Sequence, residues 1–200
     1  MASMGMLWRQ QKARFYRERY EAAEALRESE ARFRAIFEQA AVGIAQVSLD
    51  GHWIQINEKF CNIVGYPREE LLTLTFQDIT HPDDLNADLA YVAQVLDGEI
   101  NTYSLEKRYI RKDHTEVWIN LTVGLVRDDA NGPKYFIRIV EDITERKQSE
   151  IILFTRLRLA KLYDQATLDE LIQAGLDAAE LLTGSTIGFF HFVDADQENL

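Results

Sequence analysis

The sequence predicts an α+β fold: one curved antiparallel sheet of five strands, short helices on one face, and long helices at both ends. Three observations carry this. Two short strand patterns come early, within residues 42–56. Three longer ones come late, near 102–111, 115–127 and 133–142. Between them lies a stretch broken by Pro and Gly, in which apolar residues recur at helical spacing.

The elements follow in order. Residues 7–40 contain no Pro or Gly and are rich in Glu, Arg, Ala and Gln, so they read as helix. Glu18, Glu21, Glu24 and Glu28 alternate with Arg14, Arg17, Arg19 and Arg27 at spacings that allow i,i+3 and i,i+4 pairs. Trp8, Phe15 and Ala22 repeat every seven residues, as do Leu26 and Phe33. This weak heptad fits a parallel coiled coil, and a solvated single helix is the alternative. Val42 to Leu49 and His52 to Ile56 read as a hairpin around Asp50-Gly51. Asn57 is an N-cap for a short helix from Glu58 to Val64, which Gly65-Tyr66-Pro67 ends. Arg68 to Leu72 is a further helical turn.

His81-Pro82-Asp83-Asp84 restarts the chain as a helix running to about Leu96, with Leu85, Leu89, Val92 and Leu96 on one face. Asp97-Gly98 closes it. The three late strands are joined by turns at Lys112-Asp113-His114 and Asn131-Gly132. In the middle one, Val117, Ile119, Leu121, Val123 and Leu125 alternate with Trp118, Asn120, Thr122 and Gly124, so one face meets the core. No Pro or Gly separates the last strand from a charged helix beginning near Thr144 and running to about Tyr163. Thr167 to Leu182 is amphipathic helix with Gly184 as its cap, and Thr186 to Val193 is a hydrophobic strand.

Composition narrows the function. At 46 % hydrophobic and 10 % aromatic residues, the 200-residue chain can build one full domain and more. A net charge of −11 argues against nucleic acid and anionic membrane surfaces as partners, and it also simply confers solubility. The single cysteine, Cys61, cannot form an internal disulfide, which fits a reducing, cytoplasmic compartment. No apolar run approaches the roughly 20 residues that span a bilayer. Met1 to Gly5 reads as a vector-derived or loose terminus, because no apolar signal-peptide core follows.

Several blocks in register resemble a PAS domain with its C-terminal PAC segment. Phe33-Arg34-Ala35-Ile36-Phe37 and Val42-Gly43-Ile44 are similar to that family's opening helix and first strand. Asn57-Glu58-Lys59-Phe60-Cys61 and Gly65-Tyr66-Pro67-Arg68-Glu69-Glu70-Leu71 resemble its central helices. His81-Pro82-Asp83-Asp84, Glu106-Lys107-Arg108-Tyr109 with Asp113, and Asp142-Ile143-Thr144-Glu145-Arg146-Lys147 complete the set. One departure is His114, where the family usually has Gly, and a left-handed backbone is expected there. Leu168 to Leu182 and Thr183 to Asp194 resemble the start of a GAF domain, too short to close a core. That piece is either cut at a cloning boundary or a genuine fragment.

The resemblance implies four segments. Residues 1–28 form an N-terminal signalling helix with coiled-coil character, and 29–147 a PAS/PAC sensory domain. Residues 148–165 form a linker helix, and 166–200 a truncated GAF-like segment. The implied parent is a multidomain sensor histidine kinase, with a diguanylate cyclase as the alternative. A PAS dimerisation scaffold without ligand is the rival from another class. The implied partners are a second copy bound through the flanking helices, a downstream effector domain and a small-molecule ligand.

Candidate walls of the ligand pocket are Ile44, Phe60, Val64, Leu85, Leu89, Val92, Leu105, Ile119, Leu121, Ile137 and Ile139, which would equally fill an ordinary core. Asp142, Ile143 and Thr144 are the candidate coupling residues, since short polar groups there can cap the following helix. A plain helix cap is the alternative. The cofactor is unknown. A reactive-cysteine flavin site is disfavoured, because Leu72-Thr73-Leu74-Thr75-Phe76-Gln77 stands where its Gly-Arg-Asn-Cys block falls, and Cys61 reads as a small core hydrophobe. Haem is disfavoured because residues 83–97 contain no axial His. His52, His81, His114 and His191 are scattered and form no metal-ligand spacing. A sensor of a four-carbon acid or citrate needs Arg, His or Ser donors converging in the pocket, and sequence alone does not place any. Asp83-Asp84 and Glu69-Glu70 read as helix-start charges, and no nucleophile elbow, phosphate loop or kinase nucleotide box occurs, so no catalytic residue is expected in this chain.

Overall fold

A computed structural model describes residues 2–163 and 167–183. The chain divides into two compact units, the first ending at Glu141 and the second beginning at Asp142.

The first unit opens with a 38-residue helix, α1 (Ala2–Gln39). Arg14 and Glu18 pair at 2.8 Å and Arg17 and Glu21 at 3.7 Å, both i,i+4. Then follow β1 (Gly43–Val47), β2 (Trp53–Ile56), α2 (Glu58–Val64), α3 (Arg68–Leu71), α4 (Phe76–Ile79) and α5 (Pro82–Asp97). Three long strands finish the unit: β3 (Thr102–Ile110), β4 (Glu116–Arg127) and β5 (Pro133–Asp142). They form one five-stranded sheet in the order β2-β1-β5-β4-β3. β1 runs antiparallel to both β2 and β5, with Ile44 opposite Ile139. β3 and β4 form a long hairpin in which Lys107 faces Ile119 and Tyr109 faces Val117.

Local chemistry sets the joints. Asn57 is fully buried and does more than cap α2. Its Oδ1 accepts from the N–H groups of Phe60 and Ile44, both at 2.9 Å. Its Nδ2 donates to the carbonyls of Phe37 at 2.9 Å and Val42 at 3.0 Å. One side chain therefore ties the end of α1, the start of β1 and the start of α2 together.

α4 is absent from the sequence expectation, yet it carries a capping box. The Thr75 N–H donates to Asp78 Oδ2 at 2.7 Å. Phe76 N–H bonds to Gly51 O at 3.0 Å, which brings α4 onto the β1–β2 turn. A Cβ at Gly51 (φ +98°) would lie 2.5 Å from Gln77 Oε1, so this approach needs glycine. α5 starts at Pro82, with His81 Nδ1 accepting from Asp83 N–H at 3.2 Å, and ends at Gly98 (φ 78°). His114 takes the expected left-handed backbone, φ 67°. Asp113 Oδ1 accepts from Thr115 N–H at 3.0 Å and closes that turn.

The core lies between one sheet face and α2–α5. The strands alternate, so Ala45, Val47, Tyr103, Tyr109, Val117, Ile119, Leu121, Val123, Phe136 and Val140 point inward and are buried. Phe60, Val64, Leu71, Phe76, Ile79 and Val95 meet them from the helices.

The second unit holds α6 (Thr144–Tyr163) and α7 (Leu168–Thr183), which pack together. Thr167 and Glu170 cap α7: Thr167 N–H donates to Glu170 Oε2 at 2.8 Å. Thr155 and Ala174 are buried, whereas Leu153, Phe154 and Leu157 are exposed. The Gly184 cap and the 186–193 strand lie outside the described residues. Among the described residues, no helix is long and apolar enough to cross a membrane.

Candidate functional site

The interior of the first unit contains three charged side chains that water does not reach. Asp88 on α5, Lys107 on β3 and Arg138 on β5 are each 0 % exposed. Burying a charge is costly unless opposite charges and hydrogen bonds compensate. Asp88 is compensated completely. Its Oδ1 accepts from Tyr103 Oη at 2.5 Å, and its Oδ2 from Lys107 Nζ at 2.7 Å and Arg138 Nη1 at 3.2 Å. Lys107 Nζ also donates to Thr80 Oγ1 at 2.9 Å and lies 4.5 Å from the centre of the Tyr109 ring. The Arg138 guanidinium sits 3.7 Å from the Phe76 ring centre.

Compensation is incomplete at Arg138. Its Nε and Nη2, and Tyr109 Oη, are buried and have no hydrogen-bond partner among the described residues. One carboxylate faces two cations, so the cluster carries one net positive charge when all three groups are ionised. Burial pushes the Lys107 ammonium down to about 8, with Arg138 acting in the same direction and Asp88 opposing. Burial also raises the Tyr109 hydroxyl to about 12, against the opposing charge of Arg138. For Asp88, burial works against the charged form, but Arg138 and Lys107 outweigh it and hold the carboxyl below its ordinary range.

The pocket residues expected from sequence divide into two groups. Phe60, Val64, Val92, Ile119 and Leu121 are buried around this interior, and Leu85 and Leu105 pack against it half-buried. Leu89 is 38 % exposed on α5 and lies outside it. Ile137 and Ile139 are a correction. β5 alternates with Phe136, Arg138 and Val140 inward, so the two isoleucines fall on the opposite face, and Ile139 is 42 % exposed. Ile44 stands on that same outer face opposite Ile139, while Ala45 and Val47 point inward. β5 thus brings an arginine into the interior where the sequence reading expects two isoleucines.

Sequence reasoning does not find Asp88, Lys107 and Arg138. The available signal is parity: Lys107 shares the inward register of Tyr103 and Tyr109, and Arg138 that of Phe136 and Val140.

At the coupling position, only Ile143 separates β5 from α6. Asp142 Oδ1 accepts from Thr144 N–H at 2.9 Å, and Ile143 is buried. Cys61 is half-buried beside a surface groove that also holds the Arg68–Glu38 pair at 3.0 Å, and burial raises its thiol pKa. Among the described residues there is no group of acidic, His and Cys side chains arranged to hold a metal ion.

A five-stranded antiparallel sheet with helices over one face and a polar group in its interior defines a ligand-pocket fold of the sensor type. Residues 54–140 match the family model described as the PAS fold. A PAS domain of an HTR-like protein from Haloarcula marismortui superposes with a TM-score of 0.53 at 21 % identity, covering 62 % of this chain and 99 % of that one. The first unit is a PAS domain. Among curated relatives, the probable diguanylate cyclase DgcE of Escherichia coli is 47 % identical over 136 residues, 66 % of this chain and 12 % of that protein. The sensor histidine kinase TmoS of Ectopseudomonas mendocina is 30 % identical over 147 residues, 73 % of this chain and 15 % of that protein. The chain therefore spans a small part of the length of either.

Proposed function

We propose that this chain is the sensory input and dimerisation module of a multidomain signal-transduction protein, located in the cytoplasm. The observation that carries this is the buried Asp88–Lys107–Arg138 cluster, because a domain that served only as a scaffold would gain nothing from two unpaired guanidinium donors in its core. Occupancy of the interior acts first on β3 and β5, which bear Lys107 and Arg138. β5 leads through Asp142-Ile143-Thr144 into α6, the PAC-like junction that relays the change. A second copy meets the first along the flanking helices. Phe15, Leu26, Phe33 and Ile36 on α1 are all exposed and fall on a 3.5-residue repeat, which supports pairing of two α1 helices. Residues 166–200 are the start of a GAF domain in this reading.

Relatives with both kinds of effector support an enzymatic output downstream. The higher identity to DgcE favours a diguanylate cyclase parent, with the histidine kinase as the second reading. Native mass spectrometry of the purified chain tests the ligand. Extra mass that is lost on denaturation supports the sensor, and a clean dimer without it supports the ligand-free scaffold. Asp142→Ala in the full-length parent tests the relay: the fold is retained while output no longer responds to the stimulus. Unchanged signalling removes the junction from the mechanism.

A further inference from the structure

We infer that the interior of the PAS domain binds a small carboxylate, held in plane by Nε and Nη2 of Arg138. This rests on the ligand-sensing reading above and specifies the chemical class of the ligand. Nε and Nη2 share one edge of the guanidinium, and their parallel N–H bonds match the two oxygens of a carboxylate. That edge is the unpartnered one, while Nη1 on the other side is taken by Asp88 at 3.2 Å. Phe76 covers the guanidinium face at 3.7 Å, so approach is along the plane and not over the ring. Tyr109 Oη is a third buried group without a partner.

Charge points the same way. Asp88 already accepts three hydrogen bonds and cannot also serve the free edge. The two cations leave one positive charge that a bound carboxylate cancels. A neutral ligand would satisfy a donor but leave that charge buried. The surrounding core is apolar, with Phe60, Ile79 and Phe136 fully or almost fully buried, so the ligand is a monocarboxylate with few further heavy atoms.

The probes are sodium acetate and sodium propionate, with acetamide and propionamide as uncharged controls and sodium chloride at matched ionic strength. Thermal unfolding of the full chain is expected to rise by about 5 °C or more near saturation in the carboxylates only. The Arg138 Nε–H resonance is expected to move on titration with acetate. Arg138→Gln abolishes the thermal response, and Tyr109→Phe, which keeps the ring under Lys107, weakens it severalfold. If Arg138→Gln does not fold, the wild-type resonance and Tyr109→Phe decide. Carboxylates acting no differently from chloride, together with an unmoved Arg138 resonance, overturn the inference. A neutral compound found by native mass spectrometry beside that result leaves the sensor reading intact. No bound mass and no response removes both.

Discussion

Asn57 concentrates more of the fold's stability than any local motif suggests, because its amide serves four backbone groups on three elements. Asn57→Ala strands those groups in the core, and chemical denaturation should show a loss of about 3 kcal/mol. Asp84 illustrates the electrostatic side. Hydrogen bonds from the Arg108 side chain hold its carboxyl below the ordinary range, against the opposing effect of burial. Asp88 is held low as well. Both carboxyls have lower pKa values in the folded than in the unfolded chain. Their contribution is complete above the unfolded value near 3.8 and is lost as pH falls through the folded values. Unfolding followed by circular dichroism from pH 6 downward should show that loss, and Asp84→Asn should flatten it.

Lys107 has the opposite alkaline consequence. Its folded pKa, about 8, lies below the unfolded 10.5, so between these values the unfolded chain holds more protons and stability rises with pH. Tyr109, raised to about 12 from 10.0, adds to stability above about pH 10, where only the unfolded chain ionises its phenol, and so it opposes the rise by releasing protons from the unfolded state. The usable window is thus pH 8 to 10, and Lys107→Met should abolish the rise there while the fold persists, because Arg138 and Tyr103 still serve Asp88.

At the scale of elements, the joints are local and separable. Gly98 ends α5 at φ 78°, and no atom lies within 4 Å of where a Cβ would stand, so Gly98→Ala tests backbone strain alone. The expected cost is about 1 kcal/mol, read from the denaturation midpoint. α4 shows how a four-residue helix escapes periodicity: it is too short to display a 3.6-residue repeat, and its signal is the Thr75–Asp78 box alone. The sheet elements show a different limit. On β5 both parities carry apolar residues, Phe136 and Val140 on one and Ile137 and Ile139 on the other. Choosing the parity without a charge is the natural reading, and it points the strand the wrong way.

For the whole molecule, α1 and the PAS sheet define what a second copy meets. Phe15 is 54 % exposed, Leu26 61 %, Phe33 50 % and Ile36 65 %, an unusual row for one helix face in water. Leu26→Glu combined with Phe33→Glu should convert a dimer to a monomer in analytical ultracentrifugation while leaving the circular dichroism of the PAS domain unchanged. A dimer that survives both changes places the contact elsewhere.

The sequence by itself determined the α+β class, the order and bounds of most elements, the caps at Asn57, Pro82 and Gly98, and the left-handed turn at His114. These depend on neighbours within a few residues, where propensity and hydrogen-bond chemistry act directly. Only the tertiary structure decided which face of β1 and β5 turns inward, and that Asp88 meets Arg138 across 50 residues and Lys107 across 19. Strand parity follows from register with distant partners, and a buried ion cluster exists only once those partners are assembled. Neither leaves a local trace strong enough to outweigh the default that an arginine or lysine on a strand faces water.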